Sequence, residues 1–171
     1  YRKGHRLLLD AVKRLPKNVN CEFRLVGNGP ELGKLRRICK RYNLDSRVIF
    51  TGRISYSEMK AEYDRADVFI MPSIRETTGS VLLEAASKGV PVIATDRFGA
   101  PVLFDNSSAY FFTGKNTEEY ISSLVNAILA CITSPSEVCM KSETAKEIVR
   151  SHTWEKKMMK YNAIYQQVLG K

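Results

Sequence analysis

The sequence is short of metal ligands. Its 171 residues hold two histidines, His5 and His152, and four cysteines, Cys21, Cys39, Cys131 and Cys139, none at metal-ligand spacing. The cysteines are therefore expected to be free, buried thiols in a reducing cytosol. The histidines are expected to be structural or exposed, and no Ser-His-Asp or Cys-His nucleophilic arrangement can be built around them. No apolar run approaches the roughly 20 residues that span a bilayer, and no secretory leader opens the chain. Glycine is sparse where a dinucleotide fingerprint would need it. Gly27-Asn28-Gly29-Pro30 lacks the third glycine and Pro30 removes a backbone donor, so the stretch reads as a tight strand-to-helix turn.

What is present is ordinary in proportion. An apolar content of 44% and a charged content of 26% suit one domain able to bury a core. The net charge of +9 is the unusual total. Lys34, Arg36, Arg37, Lys40 and Arg41 fall along one expected helix, and Lys156, Lys157 and Lys160 along another. Such faces suit anionic partners, including a membrane surface, or are simply solvated. Neither has aromatics at base-stacking spacing, so no nucleic-acid partner is expected.

Apolar patterning alternates between periods of about 3.6 and 2 residues. It predicts helices over 5–15, about 30–42, 55–65, 80–88, 117–133, 136–151 and 153–169. Strands are predicted over 21–26, 48–51, 68–71, 91–95 and 109–112. Ser55 or Ser57 can cap the third of these helices, and Pro72 ends the third strand by withholding a ladder donor. Strands and helices joined by short links imply an α/β, Rossmann-like fold: a parallel sheet with helices on both faces. Ligands on such sheets bind at the carboxyl ends of the strands. The loops at 27–30, 52–54, 72–79 and 96–100 should cluster there.

The most informative stretch is Pro72-Ser73-Ile74-Arg75-Glu76-Thr77-Thr78-Gly79-Ser80-Val81-Leu82-Leu83-Glu84-Ala85. It leaves an apolar strand, turns through small residues and enters a helix. Orphan N–H groups and the positive dipole end at such a start form a site for phosphate. Glu76 and Glu84, with seven residues between them, flank that site with carboxylates suited to accept from sugar hydroxyls. The whole reads as a pocket for a sugar linked to a diphosphate. The competing readings are plainer: an acidic residue early in a helix, a turn carboxylate, and Thr78 as an ordinary N-cap.

These residues carry a family resemblance. Glu76 to Glu84 resembles the E-x7-E motif of the retaining glycosyltransferases with the two-domain GT-B fold, the group 1 or family 4 type. The run Ala85-Ala86-Ser87-Lys88-Gly89-Val90-Pro91-Val92-Ile93-Ala94-Thr95-Asp96 is similar to the family's "EAMAxGxPVIATD" segment. Lys3-Gly4 through Ala11, Leu25-Val26-Gly27-Asn28-Gly29-Pro30-Glu31 and Arg47-Val48-Ile49-Phe50-Thr51-Gly52 resemble three further family segments, in the family's order. Together they cover residues 2 to about 100.

The resemblance implies that residues 1–171 are one nucleotide-sugar-binding domain, the C-terminal half of a longer enzyme. The enzyme would move a sugar from a nucleoside diphosphate sugar to a hydroxyl acceptor. Glu76 and Lys3 would be the catalytic residues, Glu76 at the donor sugar and Lys3 on the departing diphosphate. Glu84 would hold the ribose hydroxyls, and Thr78, Gly79, Ser80 and Val81 would present backbone N–H groups to phosphate and sugar. Gly52, Arg53 and Ile54 would contact the base. No metal or other cofactor is implied, because Lys3 supplies the positive charge. The family's first strand and a partner arginine would precede Tyr1, and the helix at 153–169 would cross toward an N-terminal domain. The isolated piece should bind donor without turning over. The implied setting is cytoplasmic polysaccharide biosynthesis, with a lipid-linked acceptor or a peripheral place on the inner membrane face as an option. Thr77-Thr78-Gly79 departs from the family's "G-F-G" flavour. Phe98 is added, and one glycine replaced, in the loop that follows Asp96. Those departures keep open a non-catalytic sugar-nucleotide-binding module of the same fold, and a GT-B-type sugar-nucleotide epimerase is a second alternative, one that needs acid/base residues the sequence does not visibly supply.

Overall fold

The computed structural model describes residues 2–76 and 79–170. Their order is α1 (His5–Arg14), β1 (Phe23–Val26), α2 (Leu32–Arg41), β2 (Val48–Gly52), α3 (Tyr56–Arg65), β3 (Phe69–Met71), α4 (Ser80–Ser87), β4 (Val92–Thr95), α5 (Ala100–Leu103), β5 (Tyr110–Phe112), α6 (Thr117–Thr133), α7 (Pro135–Arg150) and α8 (Trp154–Val168). Several helix starts follow from local chemistry. Ser55 caps α3 through the N–H of Glu58, whose carboxylate accepts from the N–H of Ser55 in return, a complete capping box. Asn116 and Thr153 cap α6 and α8, their side chains accepting from the N–H of Glu119 and of Lys156.

The strands are all parallel, but they form two sheets rather than one. β1 pairs with β2, and β3, β4 and β5 form a second sheet in that order. β4 shows why helices lie on both faces. All four of its residues are buried, with Ile93 in a core shared with α1, α2 and α6, and Val92 and Ala94 in a core shared with α4 and α7. β1 and β3 carry ladder partners on one side only, and together they line a cleft of about 1070 Å³. Phe23, Leu25 and Val26 stand on one wall, and Phe69, Ile70 and Met71 on the other.

The structure corrects four expectations. Phe69 and Ile70 of β3, expected to be fully buried, are only half buried, because β1 and β3 share no ladder across the cleft. The second helix begins at Leu32 rather than at Pro30, because Leu32 donates to the carbonyl of Gly29 and a turn occupies 30–31. A four-residue helix, α5, follows Gly99 where a loop is expected, since Ala100 is buried and Pro101 suits a first turn. The thiols do not share one environment. Cys39 and Cys131 are buried, Cys21 is half buried and Cys139 is exposed. Burial pushes the Cys131 thiol up to about 12, so it is an inert core group.

Candidate functional site

The start of α1 and the loop after β3 are fastened together. Gly4, the N-cap of α1, has φ +69°, and a Cβ there would lie 1.7 Å from the carbonyl oxygen of Pro72. Only glycine allows both that conformation and that approach. The N–H of Ile74 donates to the carbonyl of Arg2 at 3.0 Å. This backbone contact brings two side chains distant in sequence together: Lys3 Nζ lies 2.7 Å from Glu76 Oε2. The Lys3 side chain keeps 54% of its exposure while that of Glu76 keeps 20%, so the ammonium faces outward.

Two helix N-termini lie beside this pair. α1 has neither a side-chain cap nor an acidic residue in its first turn, and the same holds for α4. Gly79 caps α4 in the left-handed conformation, φ +60°, with its Cβ position 3.6 Å from the Met71 methyl at the carboxyl end of β3. Gly79 is buried, Ser80 is exposed and Val81 is half buried. Among the described residues no side chain caps either positive dipole end, and Lys3 lies next to that of α1.

Glu84 lies one turn into α4, exposed at the surface. The hydroxyl of Tyr63, on α3, donates to its Oε2 at 3.2 Å. Lys3, Tyr63, Val81 and Glu84 all line the cleft between the sheets. His5 lines it as well, and burial pushes its imidazole below the ordinary value. The sequence gives no signal for Tyr63. It is one of eight tyrosines, 21 residues ahead of Glu84, and only the packing of α3 beside α4 selects it.

The remaining expected residues fall into two groups. Gly52 ends β2 with φ +74°, its carbonyl accepting from the N–H of Gly27 at 2.8 Å. Arg53 is exposed and lines a shallow depression with Asn28 and Gly29, while Ile54 is half buried. This group sits at the carboxyl ends of β1 and β2, and it does not line the cleft that holds Lys3 and Glu84. Thr78 lies outside the described residues. Among the described residues no three His, Cys, Asp or Glu side chains converge as metal ligands, and no single helix is long and apolar enough to cross a membrane.

The sequence profile described as "Glycosyl transferases group 1" matches residues 1–147. This chain belongs to the group 1 glycosyltransferase family. A putative colanic acid biosynthesis glycosyltransferase of Salmonella typhimurium is 30% identical over 128 residues, which is 71% of this chain and 32% of that protein. A GDP-mannose-dependent α-(1-6)-phosphatidylinositol monomannoside mannosyltransferase of Mycobacterium tuberculosis is 31% identical over 137 residues, 75% of this chain and 36% of the relative. Among solved structures, sucrose-phosphate synthase from Thermosynechococcus elongatus superposes with a TM-score of 0.80 at 27% identity, over 99% of this chain and 43% of that one. The Anabaena protein Alr3699/HepE, solved in complex with UDP, gives a TM-score of 0.80 at 23% identity, over 99% and 46%. The glycosyltransferase chain therefore spans about a third of the relatives' length and has the fold of one half of a GT-B enzyme.

Proposed function

We propose that this domain binds the nucleoside diphosphate sugar of a retaining glycosyltransferase. The observation that carries the reading is the Lys3–Glu76 pair beside two helix N-termini, with Glu84 exposed one turn into α4. The N–H groups of Gly79, Ser80 and Val81 would receive the distal phosphate. Lys3 would neutralise the diphosphate as it departs, supplying with the helix ends the charge stabilisation that metal ions provide elsewhere. Glu76 would hold hydroxyls of the donor sugar, and Glu84 the vicinal diol of the ribose. Gly52, Arg53 and Ile54 would meet the base.

In the full-length protein the acceptor side would come from the part that this chain does not include, so residues 1–171 alone should bind donor and not turn over. A strand preceding Tyr1 would fill the cleft, where β1 and β3 both offer unpaired edges. α8, none of whose residues is buried, would dock on the other domain through Trp154, Met158, Tyr161 and Tyr165. A lipid-linked acceptor at the cytoplasmic membrane face fits the basic surface.

The test is calorimetric titration of the full-length protein with UDP, GDP and ADP, beside a Glu84→Ala variant. One diphosphate should bind, and the variant should weaken it about tenfold, or roughly 1.4 kcal/mol. Absence of binding to all three would sink the reading.

A further inference from the structure

Among the described residues, Tyr63 is the buried side chain whose hydroxyl reaches an expected ligand-binding carboxylate. Its side chain is 5% exposed, and its ring packs tilted against Phe69 with centroids 5.9 Å apart. The helix that carries it is fixed at its N-terminus by the Ser55–Glu58 capping box. The hydroxyl is therefore held by a rigid platform, while Glu84 stands exposed on a different helix. An exposed glutamate ordinarily samples several rotamers. A fixed donor on one oxygen restricts it.

We propose that Tyr63 is a positioning residue for Glu84: its phenol holds one carboxylate oxygen so that the group presents its remaining lone pairs to a vicinal diol. The inference rests on the donor-site reading above. Ionised carboxylate offers about four acceptor positions, and Tyr63 takes one of them. Among the described residues no other side chain donates to Glu84. Burial, and then the neighbouring Glu84 charge, push the Tyr63 phenol well above its ordinary value, so it stays a donor across the neutral range. The 3.2 Å separation is longer than an optimal O–H···O bond. Such contacts tighten when a ligand fixes the acceptor.

The experiment titrates the full-length protein with UDP, GDP and ADP, each beside its 2′,3′-dideoxy counterpart. The proteins are the parent, Tyr63→Phe, Glu84→Ala and the double variant, with thermal unfolding as a check on folding. Tyr63→Phe should weaken the ribose-bearing diphosphate about three- to tenfold and leave the dideoxy compound unchanged. Glu84→Ala should show the same selectivity with a larger loss, and the double variant should be no weaker than Glu84→Ala alone. If Glu84→Ala weakens the ribose-bearing ligand and Tyr63→Phe does not, the positioning role is overturned and the donor site stands. Equal weakening of both ligand types by Tyr63→Phe would show that Tyr63 acts only through the fold, and would also overturn it. If no diphosphate binds, or Glu84→Ala changes nothing, the donor-site reading falls and takes this inference with it.

Discussion

Lys3 Nζ and Glu76 Oε2 lie 2.7 Å apart although 73 positions separate them in sequence, and the contact joins the start of α1 to the loop that leads into α4. It sits on a backbone junction that needs no side chains, where Gly4 meets Pro72 and Ile74 donates to Arg2. The ion pair is partly solvated, so its value to stability is small, and it lies beside the N-termini of α1 and α4.

Replacing Lys3 separates those two roles. An ion pair this exposed contributes about 1 kcal/mol or less to folding, so Lys3→Met should unfold within a few degrees of the parent. Loss of an electrostatic contact made to a departing diphosphate costs on the order of 100-fold or more in rate. Sugar transfer by the full-length enzyme, measured beside thermal unfolding, should show a large rate loss with a small shift. A rate that falls only in proportion to stability would remove Lys3 from the chemistry.

Gly4 and Gly79 both sit at positive φ, yet their substitutions should differ. At Gly4 a Cβ meets the backbone oxygen of Pro72 at 1.7 Å, which cannot be relieved by a side-chain rotation. Gly4→Ala should cost more than about 3 kcal/mol. At Gly79 the nearest atom is the Leu82 Cδ1 at 3.1 Å, the flexible end of a side chain. Gly79→Ala should cost about 1–2 kcal/mol, chiefly from the left-handed backbone. Urea unfolding of the two variants checks the order.

A pH-dependent contribution is expected from Glu62. Arg24 binds it with two hydrogen bonds, Nε to Oε2 at 2.6 Å and Nη2 to Oε1 at 3.0 Å, tying β1 to α3. These bonds hold the Glu62 carboxyl below its ordinary value. The stabilisation is therefore complete above the unfolded pKa of about 4.3. It is lost as pH falls through the lower folded value. Glu62→Gln should be about 1 kcal/mol less stable at pH 7, and the gap should close as the pH is lowered through the folded Glu62 value. Arg24 keeps a contact to Glu22 at 3.1 Å in the variant, so no orphaned charge enlarges the effect.

Phe98 is the clearest local conflict in the chain. It is an aromatic at φ +62°, 48% exposed, in the loop after β4. Left-handed backbone costs a non-glycine residue roughly 1–2 kcal/mol, and little packing offsets it here. Phe98→Gly should leave stability unchanged or raise it by up to about 1 kcal/mol. If the phenyl ring meets the bound donor, the same variant should weaken diphosphate-sugar binding in the full-length protein while leaving the bare diphosphate unaffected.

Much of the fold could be read from residues alone. Of the apolar face expected at Leu7, Leu8, Ala11, Val12 and Leu15, all but the half-buried Leu7 are buried, on α1 or at its C-cap; Ser55 caps α3, and the α6 span of 117–133 is reproduced to the residue. Other boundaries moved by one or two positions where turns compete with helix, as at Pro30. α5 escaped because a four-residue helix has no period to detect, and its formation depends on the burial of Ala100.

The sequence by itself determined the alternation of strands and helices, the family and the spacing of Glu76 and Glu84. Those are carried by local periodicity, by breakers such as Pro72, and by side chains whose chemistry is independent of distant partners. Tertiary structure decided which of those groups meet. The Lys3–Glu76 pair, the Tyr63–Glu84 hydrogen bond and the separation of Arg53 from the cleft depend on how α1, α3 and the split sheet pack. The pairing of β1 with β2, and of β4 with both β3 and β5, is of the same kind. Ladder pairing is a property of two edges facing each other, and no pattern within β1 or β3 states what lies opposite.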